Sequence, residues 1–222
     1  MQDLTLLIPA NKEPESLPIF LSELKEYDCK KLIVLQEEDK DTINSIVDFK
    51  EIEILKQRNK GYGNALIEGI DQISTKYFCI INADGSMDPS FLSEMLRNCE
   101  NNDFVFATRY AEGGGSDDDD FITFFGNKFF SLLGNLLFKL NLSDILYTYV
   151  MGKTKSAKNL ELKYNDFRIC VELPIKAKFK KNNFVSIPSM ERKRIAGKKK
   201  VNAIKDGFLI LTAIIISFLK KK

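Results

Sequence analysis

Short apolar segments alternate with segments of helical periodicity through the first half of this chain, and this alternation is the strongest constraint on its fold. The sequence predicts strands at residues 4–8, 31–35, 51–55, 77–81 and 103–108. It predicts helices between them at residues 15–27, 41–47, 63–73 and 89–98. This order favours an α/β fold with a mainly parallel central sheet and flanking helices.

The fourth predicted strand stops at a polar turn that carries a carboxylate, Asn82-Ala83-Asp84. Ligands of open α/β sheets bind at the carboxyl ends of the strands. Asp84 is therefore a candidate ligand for a divalent cation, which can in turn hold a diphosphate. The structural alternative is an Asx-type turn that merely ends the strand.

Composition excludes several classes of protein. The 222 residues are 44% hydrophobic and 29% charged, which is typical of a globular domain and long enough for a full core. The chain has no histidine, so catalysis by a histidine base and histidine metal sites are excluded. Its four cysteines form no CxxC pair, which favours reduced thiols and a cytosolic setting.

The net charge of +2 is unevenly distributed. Residues 1–175 hold 19 basic and 29 acidic residues, whereas residues 176–222 hold 14 basic and only 2 acidic ones. The basic end implies an anionic partner: phosphate, nucleic acid or anionic lipid. Few aromatic residues are interleaved with the basic ones around residue 200, so we expect no nucleic-acid binding.

Two apolar segments raise the question of a membrane. Residues 121–142 predict an amphipathic helix, which either covers the core or lies at a membrane surface. Residues 208–219 are followed by three lysines and, at about 18 Å as a helix, are too short to cross a bilayer. We expect an in-plane membrane anchor there, with a helix docked on the protein itself as the alternative. The start of the chain is acidic and does not predict a signal peptide. The predicted division is a domain at 1–204 and a membrane-associating helix at 205–222.

Further short motifs surround the Asn82-Ala83-Asp84 turn. They are IPANKE at 8–13, QEED at 36–39, NKGYGNA at 59–65, ATRY at 107–110 followed by GGG at 113–115, an aspartate at 144, VEL at 171–173, IP at 187–188 and RIAGKKK at 194–200. In this order they resemble the motifs of inverting glycosyltransferases of family 2, which have the GT-A fold. The resemblance extends to the polyprenyl-phosphate (dolichyl-phosphate) mannose or glucose synthases within that family.

The resemblance implies a donor site for a UDP- or GDP-linked sugar. Its implied residues are Pro9, Ala10, Glu13, Glu37, Asp39, Lys60, Gly61, Gly63, Asn82 and Ala83. Glu37 and Asp39 stand where the family has an aspartate pair followed by Gly-Ser, so a solvated acidic turn is the alternative for them. Asn82 replaces the first aspartate of the family's D-x-D metal motif. The motif implies a site for Mg²⁺ or Mn²⁺, with Asp84 as the main ligand and Asn82 and Ser86 as weaker oxygen donors.

The resemblance also implies the catalytic residues, which are Asp84, Arg109, Asp144, Arg194 and Lys200. Arg109 would clamp a phosphate, with a surface salt bridge as the alternative. Asp144 would bind the donor sugar or assist the nucleophile, or else cap a helix. Arg194 and Lys200 would bind the acceptor phosphate or the donor diphosphate, or else belong to a solvated basic loop.

These implications predict transfer of a sugar, with inversion, from a nucleotide sugar to a polyprenyl-phosphate carrier for cell-envelope synthesis. The enzyme would be peripheral on the cytoplasmic face of the cell membrane, with a membrane-protein partner or a second copy of itself as further partners. One alternative is transfer to a sugar hydroxyl of a surface glycan. The other is a degenerate domain without catalytic activity.

Overall fold

The computed structural model describes residues 1–220 and contains a seven-stranded sheet with helices on both faces. The nine strands are β1 (Leu4–Pro9), β2 (Lys30–Leu35), β3 (Ile52–Lys56), β4 (Tyr77–Ile80), β5 (Phe104–Thr108), β6 (Gly115–Ser116), β7 (Val150–Lys153), β8 (Phe184–Pro188) and β9 (Met190–Glu191). The large sheet has the order β3-β2-β1-β4-β7-β5-β8, and β6 pairs with β9. The predicted α/β fold and its five strands are confirmed.

Eight α-helices connect or follow these strands. They are α1 (Ser16–Glu23), α2 (Lys40–Ser45), α3 (Tyr62–Gln72), α4 (Leu92–Asn101), α5 (Phe121–Phe138), α6 (Thr154–Lys158), α7 (Ile169–Phe179) and α8 (Ala203–Leu219). Polar side chains begin several of them: Asp120 accepts a hydrogen bond from the Thr123 amide, and Asn202 accepts one from the Lys205 amide. These caps satisfy amides that have no partner within the helix.

Strand β7 is antiparallel to its neighbours and joins two parallel groups of strands. Met151 pairs with Cys79 of β4 on one side and with Val105 of β5 on the other. The sequence did not predict this four-residue strand. Its insertion brings residues 144–149, which precede it, to the edge where β4 and β5 end.

The sheet separates two apolar clusters. One contains residues of α1 and α4, and the other contains residues of α3, α5, α7 and α8. Because both faces of the sheet are covered, its central strands are apolar throughout rather than alternating.

Helices α5 and α8 pack against each other, and each buries one face. Helix α5 is four residues shorter than predicted, because Lys139 ends it in the left-handed conformation. Helix α8 has 17 residues instead of the predicted 12, which makes it about 25 Å long. The predicted domain boundary after residue 204 lies in its first turn, and Lys221 and Lys222 lie outside the described residues. Within residues 1–220, α5 is the one helix long and apolar enough to span a membrane, by length and composition alone.

The glycine- and aspartate-rich segment at 113–120, which reads as a mobile loop in the sequence, is tied to the rest of the protein. Gly115 and Ser116 form β6, Asp118 pairs with Arg194, and Asp120 caps α5. Partners distant in sequence hold this segment in place, which its composition does not reveal.

Candidate active site

A cleft of 1410 Å³ opens at the carboxyl ends of β1 and β4, where the sequence places its polar turns. Of the predicted site residues, it is lined by Pro9, Ala10, Glu13, Asp39, Lys60, Gly61, Asn82, Ala83, Asp84, Ser86, Arg109, Arg194 and Lys200. Glu37, Gly63 and Asp144 do not line it. The fold thus brings most of the predicted site together from segments that are far apart in sequence.

Asp84 lies in the turn after the carboxyl end of β4, and its two carboxylate oxygens have different surroundings. One oxygen accepts hydrogen bonds from the Ser86 amide at 3.1 Å and the Ser86 hydroxyl at 2.9 Å. The other lies 3.6 Å from Nη1 of Arg194. Asp84 is thus fixed by its own turn and faces a cation across the cleft.

The side-chain oxygen of Asn82 accepts a hydrogen bond from the Tyr62 hydroxyl at 3.1 Å, and that hydroxyl also lies 2.6 Å from the Thr148 hydroxyl. Burial raises the pKa of Tyr62, so its hydroxyl stays protonated as a donor. In this arrangement the Asn82 oxygen has a partner already, which leaves Asp84 as the main candidate metal ligand. No group of three or more acidic or cysteine side chains suited to a metal occurs among residues 1–220.

The basic segment 194–200 crosses the cleft and is held by acidic residues. Arg194 pairs with Asp118 at 2.5 Å, Lys199 with Asp120 at 3.1 Å, and Lys200 with Glu13 at 3.3 Å. Burial disfavours the charge on Arg194, but the hydrogen bond and attraction to Asp118 raise its pKa overall. Arg194 therefore keeps its positive charge, and carboxylates of the chain pair with Arg194, Lys199 and Lys200 in the ligand-free protein.

Arg109 is buried beside three carboxylates. Its Nη1 lies 2.9 Å from Glu191 and 3.9 Å from Asp119, while Nε and Nη2 bind the two oxygens of Asp144 at 2.7 and 3.0 Å. Burial disfavours the arginine charge, but Asp144 holds the pKa of Arg109 well above its ordinary value. The guanidinium is thus oriented by acidic partners, with its outer edge at the cleft.

Asp144 lies beneath the cleft rather than in its lining. Its side chain is fully buried, and both oxygens bind Arg109. In this arrangement the carboxylate orients Arg109, and its role toward the donor sugar or the nucleophile stays a prediction. Glu191, which lines the cleft and binds both Arg109 and Ser116, was not predicted. Glu191 lies three residues after the end of β8, but its arginine partner is 82 positions away, so no local pattern marks it.

The two predicted acidic residues after β2 have different positions. The carboxylate of Asp39 lines the cleft and accepts the Lys12 amide at 2.6 Å, which ties the first two strand ends together. Glu37 points away and pairs with Lys56 at 2.8 Å on the exposed surface, and this hydrogen bond lowers the pKa of Glu37. Glu37 is therefore not placed to bind a nucleotide.

Gly61 and Gly63 are required by the chain itself. A β-carbon on Gly63 would lie 2.2 Å from the Tyr164 carbonyl oxygen, and one on Gly61 would lie 2.0 Å from the Asn165 carbonyl oxygen. Residues 164–166, rather than a ligand, therefore make the close approach to Gly61 and Gly63, although Gly61 also lines the cleft. Gly63 contributes to the site by allowing this segment to pack on the start of α3.

Several solved structures share this fold. Glucosyl-3-phosphoglycerate synthase from Mycobacterium tuberculosis in complex with UDP aligns with a TM-score of 0.74 and 12% identity, over 97% of this chain and 79% of that chain. The same enzyme with Mn²⁺, UDP and phosphoglyceric acid aligns with a TM-score of 0.71 and 13% identity, over 97% and 78%. A mycobacterial protein aligns with a TM-score of 0.71 and 10% identity, over 96% and 74%.

The order of the strands, the polar turn at the end of β4 and the cleft above it agree with the family resemblance found in the sequence. The family model described as glycosyl transferase family 2 matches residues 5–161, which is more than half of the chain. This chain belongs to glycosyl transferase family 2.

Proposed function

We propose that this protein transfers a sugar, with inversion, from a nucleotide sugar to the phosphate of a polyprenyl-phosphate carrier at a membrane surface. The observation that carries the proposal is the pairing of Asp84 with the cationic segment 194–200 across one cleft. Such a cleft can hold two anionic groups side by side: the diphosphate of the donor beside Asp84, and the phosphate of the acceptor beside Arg194, Lys199 and Lys200.

The residues around Asp84 fit a divalent cation. Asp84 supplies a carboxylate and Ser86 a hydroxyl, which are the oxygen ligands that Mg²⁺ and Mn²⁺ prefer. Magnesium sites commonly use one or two carboxylates and take their other ligands from substrate phosphates and water, so a single aspartate is enough. A bound cation would stabilise the charge on the departing nucleoside diphosphate. The solved relatives in fold that contain Mn²⁺ and UDP support this part of the proposal.

The donor nucleotide would lie along the cleft wall formed by Pro9, Ala10, Glu13, Asp39 and Lys60. One carboxylate oxygen of Asp39 accepts the Lys12 amide at 2.6 Å and the other accepts the Thr42 amide at 3.4 Å. The group is thus held at a fixed position, where its remaining lone pairs can accept a hydrogen bond from a base or a ribose hydroxyl.

A phosphate acceptor suits a chain without histidine. A phosphate is an anionic nucleophile near neutral pH, so it needs orientation more than deprotonation. Arg194 and Lys200 are placed to orient it once their carboxylate partners release them. The burial of Asp144 counts against a sugar hydroxyl acceptor that relies on this residue as its base.

A small phosphorylated acid is the second candidate acceptor. The structures aligned with this chain include an enzyme that binds phosphoglyceric acid, whose phosphate has the same charge chemistry. This acceptor would need no apolar surface beside the cleft, whereas a polyprenyl phosphate would use one.

The outer faces of α5 and α8 support the lipid acceptor. Their exposed apolar residues are Phe121, Ile122, Phe124, Phe125, Phe129, Leu132 and Leu136 on α5, and Ile204, Phe208, Ile215, Ile216, Phe218 and Leu219 on α8. Exposed lysines at 128, 139, 205 and 220 lie on the same two helices or at their ends. An apolar face with basic flanks suits the surface of an anionic bilayer, with the helices in the plane of the membrane. The corresponding localisation is the cytoplasmic face of the cell membrane.

Donor binding is tested first. The melting temperature is measured with UDP and with GDP, each with and without Mn²⁺, for the wild type, Asp84→Ala and the control Asp88→Ala, whose carboxylate caps a nearby turn outside the cleft. A metal-dependent rise for one nucleotide, lost only in Asp84→Ala, supports the donor site and identifies the base. No rise with any nucleoside diphosphate would favour a degenerate domain.

The acceptor is tested by transfer of labelled sugar to polyprenyl phosphate and to 3-phosphoglycerate. Label that moves into the organic phase supports the lipid acceptor, and label that moves to the soluble acid supports the second candidate.

Binding to a membrane is tested by sedimentation with anionic and zwitterionic vesicles. Leu132→Glu with Leu136→Glu should abolish sedimentation with anionic vesicles, whereas Ile54→Glu on the exposed strand β3 should leave it unchanged.

A further inference from the structure

The cleft has a second, apolar end that the donor site does not use. This end lies between the first halves of α5 and α8. Its apolar lining is Ile122, Gly126, Phe130, Ala203, Gly207 and Ile210, and the polar residues Thr123, Asn127, Lys205 and Asp206 of the same two helices also line the cleft. Phe130 and Ile210 are buried there. An apolar extension of an otherwise charged cleft indicates a ligand with one charged and one apolar part.

Two glycines keep this gap open. A β-carbon on Gly126 would have no atom within 4 Å, and one on Gly207 would just touch the ring of Phe130 at 3.9 Å. Glycine in a helix interior is less stable than alanine by about 1 kcal/mol, so packing does not explain the empty position at Gly126. From Ile122 to Phe130 the gap runs for about 12 Å along α5.

The charged end of the same cleft faces this gap. Lys199 and Lys200 line the cleft together with Val201 and Ala203, which connect the basic segment directly to α8. Lys199 pairs with Asp120, the residue that caps α5, so the cations lie at the point where both helices begin. The order along the cleft is therefore cations first and apolar gap second.

The gap opens toward the exposed apolar surface. Ile122, which lines the gap, is 73% exposed, and Ile204 next to Ala203 is 88% exposed. A hydrocarbon chain that left the cleft between α5 and α8 would therefore emerge onto an apolar face rather than into water.

We infer that the gap between α5 and α8, at Gly126 and Gly207, binds the first part of the hydrocarbon chain of a lipid phosphate whose phosphate group pairs with Lys199 and Lys200. The inference rests on the proposed function and assigns its acceptor a route: the chain enters sideways between the two helices. The phosphate takes the place that Asp120 and Glu13 hold beside these lysines in the ligand-free protein.

The test compares a head group alone with the same head group carrying a chain. The probes are inorganic phosphate and decyl phosphate, below its micelle concentration, with decyl maltoside as the probe for an apolar chain without the charge. Affinities are measured by calorimetry for the wild type, Gly126→Leu, Gly207→Leu and the graded control Gly126→Ala. We expect decyl phosphate to bind the wild type at least about ten-fold more tightly than phosphate, since several methylenes are buried.

The leucine variants should bind decyl phosphate no more tightly than inorganic phosphate, while their affinity for inorganic phosphate stays unchanged. Gly126→Ala should keep most of the tighter binding of decyl phosphate. The inference is overturned if both leucine variants still bind decyl phosphate as much more tightly than inorganic phosphate as the wild type does, or if the wild type binds the two equally. Should the leucine variants fail to fold, cross-linking of wild type with a diazirine-bearing alkyl phosphate decides. Labels within residues 122–130 and 203–210 support the gap, and labels elsewhere overturn it.

The same experiment separates this inference from the proposed function. Binding of decyl phosphate in the gap without any sugar transfer to lipid phosphate leaves the lipid site in place and removes the transferase proposal. Transfer to lipid phosphate that is insensitive to both leucine variants keeps the transferase proposal and removes the gap.

Discussion

Arg109 and Asp144 form a two-point ion pair beneath the cleft, in which Nε and Nη2 of the arginine lie 2.7 and 3.0 Å from the two carboxylate oxygens. The family resemblance implies that Asp144 binds the donor sugar or assists the nucleophile. In the structure, its carboxylate orients the arginine that lines the cleft. Its burial makes Asp144 depend on Arg109, because the carboxylate alone would lack a charged partner away from water, whereas Arg109 would still lie beside Glu191 and Asp119.

Arg109→Met should lower the free energy of unfolding by about 3–5 kcal/mol, the usual cost of breaking a buried ion pair, because it leaves Asp144 buried without its cation. Asp144→Ala should cost less, because Glu191 and Asp119 still lie beside the arginine. Urea unfolding measures both losses. A stable Asp144→Ala protein whose only defect is a changed pH profile of sugar transfer would instead restore Asp144 as a base.

Asp118→Asn should release Arg194 toward the cleft. The two side chains are partly exposed, so their pair contributes on the order of 0.6 kcal/mol, which corresponds to about three-fold tighter binding of a nucleoside diphosphate or of phosphate. Calorimetry at low salt measures this change. Asp117→Asn, on the neighbouring exposed residue, is the control and should leave the affinity unaltered. Weaker binding of these anions by Asp118→Asn would show that the Asp118 carboxylate holds Arg194 in the position that binds the ligand, rather than competing with the ligand for Arg194.

The start of α5 should be sensitive to acid through Asp120. The Thr123 amide, the Thr123 hydroxyl and Lys199 lower the pKa of Asp120 to about 2, from an ordinary value of 3.8. A lowered pKa stabilises the folded state above pH 3.8, and this contribution is lost as the pH falls toward 2.

Asp120→Asn should therefore be less stable than wild type at pH 7, by an amount that shrinks as the pH falls through this window. Urea unfolding at a series of pH values measures it. The same curve for Asp48→Asn, an exposed aspartate in a loop, should run parallel to wild type.

Two glycines should respond oppositely to alanine. Gly63→Ala would force a methyl group against the Tyr164 and Asp166 carbonyls, so we expect a loss of at least about 1–3 kcal/mol and a displaced 164–166 segment. Gly126→Ala adds its methyl group to open space in a helix, so stability should stay the same or rise by up to about 1 kcal/mol. Thermal unfolding compares the two, and equal losses would contradict the packing of residues 164–166 on α3.

The sequence predicts the fold and the centre of the site well, because both depend on local patterns. Alternating apolar runs reveal the parallel strands, and Asp84 follows one of them directly. Strand β7 has four residues, as β4 has, but its sequence Val-Met-Gly-Lys contains no apolar run, and the strand is defined by its pairing with β4 and β5.

The parts that could not be predicted are contacts between distant residues. The partners of Arg109 come from residues 119, 144 and 191, and the glycines at 61 and 63 contact residues 164–166. A single sequence shows that such residues are charged or small, but the fold decides which of them meet.

The insertion of β7 also sets the order in which the sheet can be built during synthesis. Strands β2, β3 and β4 each join a sheet made of strands that precede them, whereas β5 pairs only with β7 and β8, which are synthesised later. Until residue 150 has left the ribosome, the apolar strand Phe104–Thr108 has no neighbour and presents an unpaired edge to chaperones and to other nascent chains. The half of the cleft that contains Arg109 can therefore be completed only after β7 and β8 have been synthesised.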